Sequence, residues 1–146
     1  MNLLKIVAVS ALVISGSALA TTPTTPTSPP VFQTTNWNAE IQIYQSGNSN
    51  LANATQTGVY KSLTNVEQRG GFNKAFTNQT GDNSLVKVNQ SGDWNLTNLT
   101  QTANKSILQV SQNGYGNNAQ GNQSANGSLA NIQQFGNGNQ AFAAQH

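Results

Sequence analysis

Residues 84–105 read SLVKVNQSGDWNLTNLTQTANK, and residues 106–127 read SILQVSQNGYGNNAQGNQSANG. If the first residue of each stretch is position 0, both have serine there, glutamine at positions 6 and 17, glycine at position 8 and asparagine at position 11. Many residues between these points differ, but the spacing does not. A constant period of about 22 residues is typical of a repeat protein in which equivalent residues stack on one another.

This pattern runs from Ala39 to the C terminus and divides it into five repeats, at residues 39–61, 62–83, 84–105, 106–127 and 128–146. The invariant residues are Gln45, Gln68, Gln90, Gln112 and Gln134 at position 6; Gly47, Gly70, Gly92, Gly114 and Gly136 at position 8; Asn50, Asn73, Asn95, Asn117 and Asn139 at position 11; and Gln56, Gln79, Gln101, Gln123 and Gln145 near the end of each repeat. The first repeat has one additional residue, which we assign to Lys61 in its closing turn. Low-complexity sequences drift in spacing, so this register argues against disorder.

Each repeat also shows the alternation of a β-strand. Positions 2 and 4 are apolar in most repeats, as in Val86 and Val88 or Leu108 and Val110, which is one face of a strand. Small or apolar residues at positions 13 and 15 indicate a second strand, and the glycine at position 8 permits positive φ in the arc between them. The sequence therefore predicts an all-β fold, a five-coil β-solenoid of strand-arc-strand repeats that is cross-β when polymerised.

Stacking gives the invariant amides a physical role. Coils repeat at roughly 4.8 Å, so each glutamine or asparagine side chain can donate to the same residue of one neighbour and accept from the other. A buried amide that lacks its partner costs about 1–3 kcal/mol, so such positions tolerate only their own kind. We predict that the invariant glutamines and asparagines form structural ladders and that the invariant glycines form turns.

The N-terminal segment has a different composition. Residues 1–20 contain Lys5, an apolar run from Ile6 to Ile14 and a small-residue ending at Ala20, which predicts a secretory signal peptide. The run is too short to span a bilayer, so we do not expect a membrane protein. Residues 21–38 contain all four prolines and predict a flexible Thr/Pro-rich leader.

Charge and residue types argue against other classes of function. Without the predicted signal peptide, which contains Lys5, the chain has five cations and four acids, a net charge of 5 − 4 = +1. Such a small charge does not direct the chain to nucleic acid. The only histidine is His146, at the C terminus, and the four carboxylates are scattered over three repeats. We therefore expect no enzyme and no catalytic, metal-binding or cofactor-binding residues.

The repeats carry a family resemblance. In the second repeat, the pattern Ser-x5-Gln-x-Gly-x2-Asn-x-Ala-x3-Gln is similar to the curlin repeat; its residues are Ser62, Gln68, Gly70, Asn73, Ala75 and Gln79. The C-terminal SLANIQQFGNGNQAFAAQH resembles the end of a curli major fibre subunit. The resemblance implies a structural subunit of an extracellular amyloid fibre on a Gram-negative cell, which supports biofilm matrix, adhesion and aggregation. It also implies self-association, with a nucleator subunit, an outer-membrane secretion pore and periplasmic chaperones as further partners.

Two alternatives stay open at this point. The chain could be the minor nucleator subunit of the same kind of fibre, or a soluble β-solenoid that binds ice or glycans. Outward position 16 reads Thr55, Asn78, Thr100, Asn122 and Ala144, which is not the uniform threonine array that an ice-binding face would have.

Outward apolar side chains form a second feature. Position 1 carries a stripe of Leu63, Leu85, Ile107 and Leu129, interrupted by Glu40 in the first repeat. The stripe could reflect strand propensity alone or a lateral contact between filaments. We expect most of the aromatic residues to lie outside the core, including Tyr44, Phe76, Trp94, Phe135 and Phe142.

Overall fold

The computed structural model describes residues 39–57 and 59–146. The predicted signal peptide, residues 1–20, and the predicted leader, residues 21–38, lie outside the described residues. The described part contains ten strands: β1 (Glu40–Ser46), β2 (Leu51–Gln56), β3 (Leu63–Arg69), β4 (Lys74–Gln79), β5 (Leu85–Asp93), β6 (Leu96–Gln101), β7 (Ile107–Tyr115), β8 (Asn118–Gln123), β9 (Leu129–Phe135) and β10 (Gln140–Gln145). Within these ranges no helix is long and apolar enough to cross a membrane.

The strands form two parallel sheets. The odd-numbered strands pair in the order β1-β3-β5-β7-β9, and the even-numbered strands pair in the order β2-β4-β6-β8-β10. Each residue lies beside its equivalent in the next repeat, so that Val66 pairs with Val88 and Val88 with Val110. The five-coil β-solenoid predicted from the sequence is confirmed.

Alternate side chains of the two sheets face each other across a thin core. Position 4 contributes Val66, Val88 and Val110, each at most 2% exposed, and position 13 of the other sheet contributes small residues such as Ala75 and Ala119. Such a core buries few atoms per coil, and an apolar side chain contributes about 1.5–3 kcal/mol when fully buried. Each coil is therefore stable only because its neighbours cover it.

Position 15 departs from the stacking of like on like. The third coil has Leu99 there and the fourth has Gly121, and both are buried. A Cβ atom at Gly121 would lie 2.9 Å from Cδ2 of Leu99 and 3.1 Å from Cδ1 of Leu108. The two leucines therefore fill the volume that Gly121 leaves empty.

Two arcs connect the strands of every coil. The invariant glycines of the first arc have positive φ, from 97° at Gly136 to 136° at Gly114. In the second arc the left-handed residues are Lys61, Asn83, Lys105 and Gly127, which occupy equivalent places in successive turns. Our assignment of the additional residue to Lys61 is therefore wrong, because the backbone hydrogen bonds place that residue between Gln56 and Tyr60.

Outward side chains form the surface of the solenoid. The stripe of Leu63, Leu85, Ile107 and Leu129 lies on the outer face of the first sheet, in register along four strands. Its exposure rises to 60% at Leu129 in the last coil. Aromatic residues such as Trp94, Phe135 and Phe142 are exposed, so they lie outside the core as expected.

Candidate assembly interface

The glutamines at position 6 are joined by their side chains. Nε2 of Gln68 donates to Oε1 of Gln90 at 2.7 Å, Gln90 to Gln112 at 2.9 Å, and Gln112 to Gln134 at 2.8 Å. Gln45 of the first coil donates to Gln68 in the same way. Each Nε2 from the second coil onward also donates to a backbone carbonyl of the other sheet, such as that of Lys74 for Gln90. Both amide hydrogens of the middle glutamines are thereby satisfied where water is excluded.

A second column of glutamines runs beside the other arc. Gln79 donates to Gln101 and Gln101 to Gln123, both at 2.8 Å, with Gln56 and Gln145 at the two ends of the column. In both glutamine columns the donor belongs to the earlier coil and the acceptor to the later one. The two columns therefore point in the same direction along the solenoid.

The asparagines at position 11 point in the opposite direction. Nδ2 of Asn95 donates back to Oδ1 of Asn73 at 3.0 Å, and Asn117 donates to Asn95 at 3.0 Å. The backbone N–H of Asn95 donates to the same Oδ1 atom of Asn73. The side chain also reaches the next coil, where Nδ2 of Asn95 donates to the carbonyl of Gly114 at 2.9 Å. The asparagines thus tie the first arcs of three successive coils together.

Serine at position 0 closes the second arc. The hydroxyl of Ser84 donates to the carbonyl of Ala103 at 2.8 Å and accepts from the backbone N–H of Ser106 at 3.2 Å. Buried threonines connect to the glutamine columns as well, since Thr97 Oγ1 donates to Gln112 and accepts from Gln90. Our sequence reasoning did not predict these hydrogen bonds.

The two ends of the solenoid carry complementary halves of these columns. Among residues 39–57 and 59–146, no side chain donates to Oε1 of Gln45 or Gln56 in the first coil. In the fifth coil, Nε2 of Gln134 and Nε2 of Gln145 each donate to one backbone carbonyl and have no glutamine beyond them. The first coil therefore offers acceptors at the places where the fifth coil offers donors.

A comparison with protein families finds a known repeat in the same part of the chain. Residues 62–92 and 81–114, two overlapping segments that include the second, third and fourth coils in whole or part, match the curlin associated repeat. The matched part of the chain therefore consists of curlin associated repeats. No curated protein matches it significantly. Curlin repeats on a β-solenoid suggest a subunit of a curli-type fibre, and proteins of the curlin family are structural.

The first arcs of the second and third coils each contain one aromatic residue in an unfavourable backbone conformation. Phe72 and Trp94 at position 10 have φ of 57° and 60°, and their rings stack with centroids 4.6 Å apart and planes 10° from parallel. A left-handed backbone costs roughly 1–2 kcal/mol per non-glycine residue, whereas one aromatic pair returns about 0.5–1.5 kcal/mol. Stacking therefore does not fully compensate the two strained residues.

The charged residues of the described repeats lie outside the ladders. Arg69 pairs with Glu67, where Nε donates to Oε1 at 2.7 Å, and its guanidinium lies 5.7 Å from the centre of the Tyr44 ring. The hydrogen bond to Glu67 raises the pKa of Arg69. Asp93 instead accepts the backbone N–H of Gly71 at 2.6 Å in the first arc. In the part of the chain that the structure describes, no three His, Asp or Glu side chains come together as metal ligands.

Proposed function

We propose that this chain is the structural subunit of an extracellular, curli-type amyloid fibre, and that copies join end to end by stacking the first coil of one on the fifth coil of another. The observation that supports this most directly is the complementarity of the two ends. The curlin family implies self-assembly into fibres, and its members are extracellular fibres of Gram-negative bacteria. The proposed role in biofilm matrix and adhesion follows from that family relationship.

Side-chain chemistry favours one orientation of the junction. If the first coil of an incoming copy continues the stack, Gln134 donates to its Gln45 and Gln145 donates to its Gln56, as in the junctions within the chain. The incoming Asn50 then donates its backbone N–H to Oδ1 of Asn139, as Asn139 itself does to Asn117. Two fifth coils placed together would instead face donor to donor. Unpaired buried amides cost about 1–3 kcal/mol each, so the head-to-tail junction is preferred.

Backbone edges add to the same junction. The first and fifth coils each expose one edge of both sheets, with β1 and β2 at one end and β9 and β10 at the other. Open strand edges are templates for the addition of further strands. Because all pairs inside the chain are parallel and in register, an added coil would continue both sheets without a change in geometry.

The same family relationship extends the proposal to the partners needed for export and nucleation. We infer that a nucleator subunit, an outer-membrane secretion pore and periplasmic chaperones act on this chain, and that residues 1–20 direct it out of the cytoplasm. Deleting residues 1–20 in a curli-producing Gram-negative host should keep the protein inside the cell. Detection of equal amounts of the shortened protein outside the cell would contradict this part of the proposal.

Polymerisation is tested with the purified chain that starts at residue 21. We expect fibres by electron microscopy, a rise in thioflavin fluorescence, and diffraction spacings near 4.7 Å and 10 Å, because stacked coils have cross-β geometry. Seeding by preformed fibres should remove the lag phase. A chain that stays soluble and monomeric for days at high concentration would overturn the proposal.

A further inference from the structure

Position 10 forms a column along the first arc in which two coils differ from the rest. The column reads Ser49, Phe72, Trp94, Gly116 and Gly138, and every one of these residues has positive φ. Phe72 and Trp94, which we call the aromatic platform, are 45% and 52% exposed although each ring covers one face of the other. As described above, the stacking energy of this pair is smaller than its backbone strain energy. Uncompensated strain is characteristic of functional sites.

The next place along the column is empty. Phe72 covers one face of Trp94, and the other face lies toward the fourth coil, where position 10 is Gly116. Apart from its chain neighbours, no atom lies within 4 Å of the point where a side chain of Gly116 would begin, and the same holds for Gly138. The free face of Trp94 is therefore the floor of an open shelf that extends over two coils.

The surroundings of the shelf are mainly polar. Asn113, Tyr115 and Asn137 are exposed in the adjoining arcs and supply amide and hydroxyl groups. On the first arcs of the five coils, positions 7 to 11, the charged side chains are Arg69 and Asp93. Arg69 is paired with Glu67, and Asp93 carries its negative charge next to Trp94.

We propose that the aromatic platform and its shelf bind a neutral glycan, with one pyranose ring stacked on the free face of Trp94. The C–H groups on the face of a sugar ring pack against an aromatic ring, and its hydroxyls bond to amide side chains of the kind that surround the shelf. A nucleic-acid base also stacks on aromatic rings, but its phosphates need cations, and here the near charge is the carboxylate of Asp93. The arc therefore fits an uncharged polysaccharide better than a polyanion.

This site goes beyond the proposed function, because it is complete within one chain and does not require polymerisation. A fibre of such chains would present one platform per subunit along the same side. A long glycan could then contact several platforms at once, and linked weak contacts give a much higher overall affinity. We expect weak binding by the single chain and strong retention of long neutral glycans by fibres.

The experiment uses the chain from residue 21 with Trp37→Phe, so that Trp94 is the sole fluorophore of its type. Cellohexaose, a neutral linear hexasaccharide, is titrated into soluble protein and into fibres while Trp94 emission is followed. We expect a saturable change in emission that Trp94→Ala cannot report, so binding by that variant is measured by calorimetry. Trp94→Ala should weaken binding at least about tenfold, which is about 1.4 kcal/mol. Trp94→Phe should restore most of the affinity.

The matched control is Phe142→Ala, which removes an aromatic side chain that is 71% exposed on the outer face of the other sheet. We expect unchanged affinity for cellohexaose, and no saturable response to a twelve-nucleotide oligothymidylate. The proposal is overturned if cellohexaose does not bind, if both alanine variants lose affinity equally, or if the oligothymidylate binds more tightly. Failure to form fibres would contradict the proposed function but leaves this measurement intact, since it is also made on soluble protein.

Discussion

The third and fifth coils have the same invariant residues but different surroundings. In the third coil Val86, Val88 and Leu99 are at most 1% exposed, because coils cover them on both sides. In the fifth coil Ala141 and Ala143 are half-buried, and Gln145 has a glutamine on one side only. A coil of this type therefore obtains its stability from its neighbours more than from its own sequence, and the end coils are where one more neighbour has the largest effect.

A substitution of the position-8 glycine in the fifth coil should impair fibre elongation far more than it impairs folding of the single chain. A Cβ atom at Gly92 would lie 2.1 Å from the carbonyl oxygen of Gly114, whereas at Gly136 the nearest atom is 3.7 Å away. In a head-to-tail junction the carbonyl of Gly47 from the next copy would occupy the corresponding place. Gly136→Ala should therefore slow seeded elongation from the fifth coil by about tenfold or more, as measured by thioflavin fluorescence.

The Gly136→Ala chain keeps an intact first coil, so substoichiometric amounts should add to wild-type fibre ends and arrest them. Gly138→Ala is the matched control, because φ is +67° there and a Cβ atom would have no neighbour within 4 Å. The control also places alanine at a positive φ but leaves the junction clear. Elongation of Gly136→Ala at the rate of Gly138→Ala would exclude the head-to-tail contact.

Removing a ladder glutamine tests whether the fifth coil acquires a neighbour. Gln90 has ladder partners on both sides, whereas Gln134 has one within the chain. Each buried group left unpaired costs about 1–3 kcal/mol, so the single chain should be destabilised more by Gln90→Ala than by Gln134→Ala. In fibres the two variants should become equally sensitive to urea, because both positions then have two partners.

Asn89→Ala, which changes the outward neighbour of Gln90 on β5, should leave the urea midpoint of fibres near the wild-type value. If Gln134→Ala fibres resist urea as well as wild-type fibres do, the fifth coil has stayed uncovered and the stacking geometry is wrong.

Adding a single methyl group at position 15 in the middle of the solenoid should destabilise the chain noticeably, because the core there has no free volume. Gly121→Ala places a methyl group 2.9 Å from Leu99, in a region closed by coils on both sides. Overpacking of this kind costs about 1–3 kcal/mol. Leu99→Ala in the same chain should recover part of that loss, as measured by urea denaturation. Additive destabilisation in the double variant would show that the two residues do not share one volume.

The smallest effect should come from a hydroxyl that has no partner. Thr77 Oγ1 is buried and makes no hydrogen bond, whereas Thr97 on β6 bonds to both Gln90 and Gln112. Thr77→Val should therefore stabilise fibres by about 1 kcal/mol, and Thr97→Val should destabilise them. Equal shifts of the urea midpoint in the two variants would contradict the different hydrogen bonding of the two threonines.

The repeat and its register could be predicted from sequence because their physical cause is visible in single positions. An amide that must meet the same amide in the next coil leaves an invariant letter at a constant interval, as Gln68, Gln90 and Gln112 do. The place of the additional residue in the first coil was predicted wrongly, because turn residues vary from coil to coil; the backbone conformation aligns Lys61 with Lys105. The shared Lys-Ser pairs at 61–62 and 105–106 were a signal that could have corrected it.

Other features of the structure could not be predicted from the spacing of residues in the sequence. The opposite directions of the glutamine and asparagine columns depend on which amide hydrogen faces which coil. Leu99 packs over Gly121, a different residue at the equivalent position. An alignment of the repeats shows only that position 15 varies and does not reveal this contact. The stacked pair of Phe72 and Trp94 arises because two arc residues, 22 positions apart, share an uncommon φ.

The additional residue between Gln56 and Tyr60 makes the first coil distinguishable from the other four. In a head-to-tail fibre this longer turn would recur once per subunit and always on the same side. A filament whose coils are otherwise nearly alike would thus acquire an axial superlattice of about 24 Å, five times the coil rise of about 4.8 Å. Its meridional diffraction would record the boundaries between molecules, which the uniform β-structure by itself conceals.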